Sequence, residues 1–309
     1  MTDLMVRVTD RRSEAEGVFS LGVAAVGGGP LPHWTPGAHI DVSVGTAGVR
    51  QYSLCGDPAD ERRWRIAILH EPAGRGGSDH LYRTARPGAA LRVSLPRNNF
   101  ELVPSDAYLF VAGGIGITPI LPMLAAAHRA GAEWTLYYGA RSRAHLAFTG
   151  ELSWYRQVRM VPQDEFGLLP LPAILSDCGS ARVYCCGPAP LLDAIETEGA
   201  RQGLEVHTER FVARQVDTDA DREFEVRLAS SGRTLRVPAD RPLVDVLEGA
   251  GVPMVTSCRE GTCGSCETTV LAGEVEHRDS VLTAQERAEG KTMMPCVSRA
   301  RSELLVLDL

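Results

Sequence analysis

Three cysteines crowd one short loop, SCREGTCGSC at 257–266, and a fourth, Cys296, stands alone within PCVS after 29 intervening residues. The spacing Cys258-x4-Cys263-x2-Cys266, followed by a distant Cys296, is that of the ligand set of a plant-type 2Fe-2S cluster. The neighbours of these thiols make physical sense on that reading. A cluster held by four thiolates is anionic, and backbone N–H groups aimed at its sulfurs stabilise it. Gly261, Thr262, Gly264 and Ser265 let the loop curl tightly enough to turn its amides inward. Zinc sites are usually built from two CxxC pairs, whereas the fourth cysteine here is solitary. The spacing therefore predicts an iron–sulfur site, with buried or zinc-bound cysteines as the alternative. Cys55, Cys178 and Cys185 are expected to pack as small apolar side chains.

The rest of the sequence bears on where such chemistry can run. The N-terminal stretch MTDLMVRVTDRRSEAEG carries scattered charge and no signal-type apolar core, and no later apolar run is long enough to cross a bilayer. A cytoplasmic protein is expected, and in that compartment thiols stay reduced, so eight cysteines point to metal or redox chemistry. A net charge of −7 argues against nucleic-acid or membrane partners. At 309 residues, 44% hydrophobic and 23% charged, the chain has room for two or three globular domains.

Three textures follow one another. Residues 1–103 alternate short β-type runs (LMVRVT, FSLGVAAV, HIDVSV, RQYSL, RWRIAIL, ALRVSL) with turn clusters such as GGGP and GDPAD, which predicts an antiparallel β-barrel or sandwich. Residues 104–214 alternate buried-type strands with helical stretches, AYLFV then PILPMLAAAHRAG, EWTLYYGA, and RVYCCGP then PLLDAIETEGARQG. That is the pattern of a parallel α/β domain. ARQVDTDADR at 213–222 is polar, has no apolar period and reads as a linker. Residues 222–309 read as a small α+β domain carrying the cysteines.

A low-potential cluster accepts one electron at a time, so something must supply it. The loop VAGGIGITPI follows a buried strand and opens a helix, with Pro119 at an early helical position where its missing N–H costs nothing. Gly113, Gly114 and Gly116 allow close backbone approach, and the amides that open the helix at Ile117 and Thr118 suit a pyrophosphate. A plain tight turn reads similarly. The second strand end, with Cys186, Gly187 and Pro188, lies at the carboxyl edge of the same predicted sheet, where ligands of open α/β sheets bind. A nicotinamide releases two electrons together, so a middleman able to pass them singly is required, and a flavin can do this. Arg50, Gln51, Tyr52 and Ser53 set a guanidinium, a ring and a hydroxyl on one strand. GRGGS, with Arg75, Gly76, Gly77 and Ser78, is expected to form a glycine-rich turn that serves as a second phosphate cradle. Alone, RQYS reads equally well as an exposed hairpin strand.

Taken together, these stretches resemble the phthalate dioxygenase reductase-like family of iron–sulfur flavoproteins over essentially the whole chain, in the same domain order. The resemblance implies an FMN-binding β-barrel, an NAD(P)H-binding α/β domain and a C-terminal β-grasp ferredoxin domain. It implies that Arg50, Gln51, Tyr52, Ser53, Gly76, Gly77 and Ser78 hold FMN, with the backbone of Ile68 and Leu69 beside the ring. Gly113, Gly114, Gly116, Ile117, Thr118, Cys186, Gly187 and Pro188 would hold the nicotinamide dinucleotide. Phe211 would close over the flavin, its alternative being a core phenylalanine at a strand end.

No acidic residue follows EWTLYYGA where a ribose ligand is expected. Arg141 and Arg143 stand there instead and suit a 2′-phosphate, while the family resemblance favours NADH. Expected partners are NAD(P)H and an oxygenase, Rieske-type first and a haem monooxygenase second, with the chain a monomer. A redox-sensing or zinc-binding regulator is the alternative of another class. No side chain is assigned an acid, base or nucleophile role, and His39 is expected to be packed and hydrogen-bonded.

Overall fold

Alternating apolar side chains between Gly- and Pro-bounded turns fold the first hundred residues into six antiparallel strands: β1 (Asp3–Ala15), β2 (Val18–Ala25), β3 (His39–Ser43), β4 (Val49–Ser53), β5 (Trp64–Leu69) and β6 (Ala90–Ser94). The computed structural model describes residues 3–214, 216 and 218–309. The strand order is β4-β3-β6-β1-β2-β5. The two outer strands meet just beyond β4, where Leu54 bridges Ile66 and the Cys55 N–H donates to the Arg65 carbonyl at 2.8 Å, which bends the sheet toward a barrel. Its inward face is mainly apolar, with Leu21, Ile40, Trp64, Ile66 and Ile68 fully buried. Such burial is worth roughly 25 cal/mol per Å² of apolar surface.

The GRGGS stretch departs from the turn expected of it. It leads into an eight-residue helix, α1 (Gly77–Thr84), preceded by Gly76 at φ +78°. Asp79 sits in its first turn, favourable at the positive end of a helix, and Leu81 anchors it in the barrel core.

The middle of the chain forms a second sheet, β7 (Ala107–Gly113), β8 (Glu133–Ala140), β9 (Val158–Pro162), β10 (Arg182–Cys186) and β11 (Val206–Glu209), all parallel, in the order β11-β10-β7-β8-β9. A parallel sheet must be covered on both faces. Helix α2 (Ile117–Arg129) packs Ile120 and Leu124 in one core with Phe110 and Leu136. After the short helices α3 (Thr149–Leu152) and α4 (Gln163–Phe166), helices α5 (Leu171–Ser176) and α6 (Ala189–Gln202) bury Ile174, Leu192 and Ile195 with Val111 on the other side. The chain runs from β7 outward through β8 and β9 and then returns to β10 on the opposite side of β7. The carboxyl ends of β7 and β10 therefore flank the switch point, where open α/β sheets bind ligands.

By residue contacts the chain divides into two units, 1–210, which holds both of these sheets, and Phe211–Leu309. Between 213 and 222 the described residues form no helix or strand, and Gln215 and Asp217 of that stretch lie outside the described residues. The second unit has strands β12 (Phe224–Leu228), β13 (Thr234–Val237), β14 (Thr268–Ala272), β15 (Val275–Glu276), β16 (Thr292–Met293), β17 (Arg299–Ala300) and β18 (Leu304–Leu307), with helices α7 (Leu243–Gly249) and α8 (Ala284–Glu289). Its main sheet runs β13-β12-β18-β14-β16, with β12 and β18 parallel. Leu243 and Leu247 of α7 pack in its core with Val226, Leu305 and Leu307. Among the described residues, no helix is long and apolar enough to cross a membrane.

Candidate functional site

At the switch point, the loop after β7 and the loop after β10 are pressed together. A Cβ at Gly116 would fall against the Cys186 carbonyl and within 2.6 Å of the Gly187 nitrogen, and one at Gly187 would meet Gly113 Cα at 3.1 Å. The room these glycines leave is thus used by loop against loop. Gly114 is different, since it has φ +52° and no atom within 4 Å of where a Cβ would be. It is the open position where a ligand's backbone-facing surface can approach. Ile117 is fully buried, and Thr118 turns its hydroxyl to the Ile115 carbonyl at 2.9 Å, so what these two offer a ligand is their amides at the start of α2. Pro188 is exposed just before α6, and Cys186 is fully buried, its thiol pushed well up by burial, which excludes a thiolate there. Arg141 is exposed at the end of β8. Arg143 is held by both oxygens of Glu165, at 2.6 and 2.7 Å, and the Asp164 N–H donates to the Arg141 carbonyl. The fold thus brings from α4 the carboxylates that the β8 loop lacks.

In the barrel, the alternation of β4 separates its four expected residues. Ser53 pairs with His39 and Gln51 with Asp41 across β3, and Gln51 Nε2 lies 3.3 Å from Asp41 Oδ1. Arg50 and Tyr52 point to the other face. Arg50 Nη2 donates to the Arg75 carbonyl at 2.9 Å, and its Cγ lies 2.5 Å from where a Cβ on Gly77 would be. A guanidinium and the N-terminus of α1 therefore lie side by side, a donor set that suits a phosphate. Tyr52 is half-buried, and burial pushes its phenol up to about 12, so it remains neutral. Ser78 is engaged locally, accepting the Glu71 N–H at 3.1 Å. On β5, Arg65 turns its carbonyl toward Cys55 while the His70 N–H turns to Gly17, so alternation leaves the Leu69 backbone on the free edge and directs that of the fully buried Ile68 toward β2. Phe211 falls in the second unit and is 38% exposed.

One residue escaped sequence reasoning. Glu209 closes β11, and burial raises its carboxyl to about 8 against a smaller opposing effect of the Ser53 hydroxyl. Ser53 Oγ and Glu209 Oε2 are both buried, and neither has a protein partner of good hydrogen-bond geometry. Two orphaned polar atoms facing each other, one from each sheet, suit a polar ligand edge. A glutamate at the end of an edge strand carries no local signal; only the fold brings it to Ser53. His39 is packed as expected, yet neither ring nitrogen has a hydrogen-bond partner, and burial, then Arg97, pushes it down to about 4.

In the second unit the four thiols fall into two pairs. Cys258 is hydrogen-bonded to Cys263, and Cys266 to Cys296. Within each pair the shared hydrogen bond favours one thiolate and disfavours the other, lowering Cys258 and Cys266 and raising Cys263 and Cys296. Amides converge on the sulfurs, with Glu260 N–H on Cys258 at 3.3 Å and Ser265 N–H on Cys263 at 3.4 Å. The turn needs a left-handed residue between Cys258 and Glu260, and Arg259 takes it at φ +55°, held by ion pairs to Asp245 and Glu248 on α7. Cys266 and Cys296 pack with Val244, Leu282 and Met294, an apolar wall that limits water. Among the described residues, no three His, Cys, Asp or Glu side chains gather on one ion. Two thiols in each pair supply the two protein ligands that each iron of a 2Fe-2S cluster takes. Cys55 and Cys185 are buried in apolar cores, and Cys178 is half-buried beside one.

Residues 226–301 match the 2Fe-2S iron-sulfur cluster binding domain family, and residues 110–165 the oxidoreductase NAD-binding domain family. The chain is 43% identical to phenoxybenzoate dioxygenase subunit beta of Ectopseudomonas oleovorans over 286 residues, covering 90% of this chain and 89% of that one. Phthalate dioxygenase reductase, a modular structure for electron transfer from pyridine nucleotides to [2Fe-2S], superposes with a TM-score of 0.71 at 36% identity, covering 99% and 98% of the two chains. An intact type IV self-sufficient cytochrome P450 monooxygenase gives a TM-score of 0.92 at 40% identity over 99% of this chain, which spans only 41% of that enzyme. Full-length identity of this order, on a sequence that pairs a nucleotide-binding sheet with a four-thiol cluster loop, shows the family: the chain belongs to the phthalate dioxygenase reductase family of iron–sulfur flavoproteins and is an NAD(P)H-dependent oxidoreductase.

Proposed function

We propose that the chain is the monomeric reductase component of an oxygenase system, drawing electrons from NADH and delivering them from its cluster to a Rieske-type oxygenase. The observation that carries this is the pairing of the four thiols under inward-facing amides in a chain that also has a nucleotide-type switch point. The FMN domain spans 1–103, the nucleotide domain 104–214 and the ferredoxin domain 222–309. Arg50 and the amides that open α1 hold the flavin phosphate, Tyr52 lies along the ring, and the backbone of Leu69 borders it. Bound there, FMN converts a hydride donor's electron pair into single electrons. Ser53 and Glu209 face the ring's polar edge, and Glu209, neutral near pH 7, holds a proton at its carboxyl. Gly114 and the amides of Ile117 and Thr118 take the pyrophosphate, with Gly187 and Pro188 closing the other side. Cys258, Cys263, Cys266 and Cys296 ligate the cluster, and no side chain acts as nucleophile.

NADH is favoured over NADPH because a 2′-phosphate would compete with the Glu165 carboxylate for Arg143. Steady-state kcat/KM should be at least tenfold higher with NADH, and a preference for NADPH would overturn this point. The likeness to the reductase portion of a cytochrome P450 favours haem as the second acceptor. Purified protein assayed against a Rieske oxygenase and a haem monooxygenase decides between them. NADH consumption coupled to product formation only with the Rieske partner is the expected result, and coupling only to haem reverses the assignment.

A further inference from the structure

A polar knot lies beside the cluster loop and has no part in the electron relay. Asp279, fully buried, sits in the segment between β15 and α8. Its Oδ2 accepts the N–H groups of Val281 at 3.0 Å and Leu282 at 2.8 Å, and its main-chain carbonyl accepts Arg287 Nη2 at 2.8 Å from α8. Arg287 Nη2 also stands 3.7 Å from Oδ2, and His277 Nδ1 3.7 Å from Oδ1. Asp279 Oδ1, Ser280 Oγ and Arg287 Nε are buried with no hydrogen-bond partner in the protein. A buried carboxylate so incompletely paired is costly to keep, and simple packing would have been served better by apolar side chains.

The knot is tied to the thiol loop through one peptide. The Ser280 N–H donates to the Gly261 carbonyl at 2.8 Å. Gly261 has φ +69°, and a Cβ there would lie 2.6 Å from Val297 Cγ2 and 3.1 Å from Asp279 Cα, so the two segments are in direct contact. Gly261 turns its own backbone N–H to the Cys296 sulfur. What holds the Gly261 carbonyl thus also aims an amide at a cluster ligand, and amides and charges close to a cluster set its reduction potential.

Resting on the assignment of the four thiols to a 2Fe-2S cluster, we propose that Asp279 and Arg287 are positioning residues that tune the cluster's reduction potential, Asp279 by opposing the entry of an electron and Arg287 by favouring it. The segment fixes Gly261, and the two opposite charges set how much negative charge the cluster meets. Asp279→Asn keeps an oxygen for the Val281 and Leu282 amides while removing the charge, and Arg287→Gln removes the cation. Arg287→Lys keeps it.

The test is an EPR-monitored redox titration of the holoprotein, with iron counted first on the unmodified chain. The expected result is a midpoint shifted positive in Asp279→Asn, shifted negative in Arg287→Gln and restored in Arg287→Lys, each with two irons per chain. Unchanged midpoints in both charge-removing variants, or shifts of the same sign, would overturn the proposal. Should Asp279→Asn fail to fold, Arg287→Gln against Arg287→Lys still decides. Absence of iron from the unmodified protein would instead sink the cluster assignment itself.

Discussion

Replacing Gly116 by alanine tests the nucleotide site most sharply, because the residue is in ordinary helical backbone and the cost is purely one of space. Its new Cβ would lie against the Cys186 carbonyl and 2.6 Å from the Gly187 nitrogen, where ordinary contact begins near 3.4 Å. Both obstacles are backbone, so the loops after β7 and β10 must part by about 1 Å. Overpacking of this kind costs about 1–3 kcal/mol of stability, and a misplacement of about 1 Å at a reacting site costs about 100-fold in rate. Gly131→Ala, just beyond the far end of α2, is the control. It meets no atom, and its cost is the backbone cost of φ +72°, about 1–2 kcal/mol. Stopped-flow reduction of bound flavin by NADH should therefore slow by about two orders of magnitude in Gly116→Ala, while FMN content and cluster iron stay as in the unmodified protein. Reduction at the unmodified rate would refute the idea that the two loops jointly position the nicotinamide.

Three further outcomes follow from the geometry. Glu209, raised to about 8, keeps its proton in the folded state while the unfolded chain releases it near 4.5. Stability should therefore fall as pH climbs from about 4.5 to about 8, and Glu209→Gln should flatten that part of the Tm profile; a parallel profile in the variant counts against a buried carboxyl. Cys263→Ser should leave NADH-dependent flavin reduction intact and abolish delivery to cytochrome c, and unaltered cytochrome reduction would reverse the relay order. Arg50→Ala removes a charged phosphate donor worth about 1.5–3 kcal/mol, so FMN should bind about 10- to 100-fold more weakly; an unchanged flavin-to-protein ratio at dilution contradicts the assignment.

Local pattern made most of the fold legible. Short β-type runs between turn clusters marked β3 to β6, continuous apolar runs marked β7, β8 and β10, and the cysteine spacing marked the cluster loop, because each of these signals is carried by residues close in sequence. Helix α1 was missed because GRGGS carries turn residues whose left-handed Gly76 in fact launches a helix, anchored by Leu81 in a core assembled from distant strands. Glu209 facing Ser53 was invisible for the same reason, since two sheets must fold before the two residues meet. The glycines around 113–116 and 187 were recognised as places of close approach. What approaches Gly113, Gly116 and Gly187 is the neighbouring loop, and that can be read only from packing. The carboxylates of Asp164 and Glu165 near Arg141 and Arg143 come from the next strand's end, beyond the reach of a local search.

The most direct measurement is iron and EPR analysis of the purified protein before and after anaerobic NADH. Two irons per chain, with a paramagnetic cluster signal that grows as the flavin absorbance bleaches, is what four paired thiols fed from a nucleotide site predict. One zinc per chain, or flavin that bleaches while no cluster signal develops, would contradict the account.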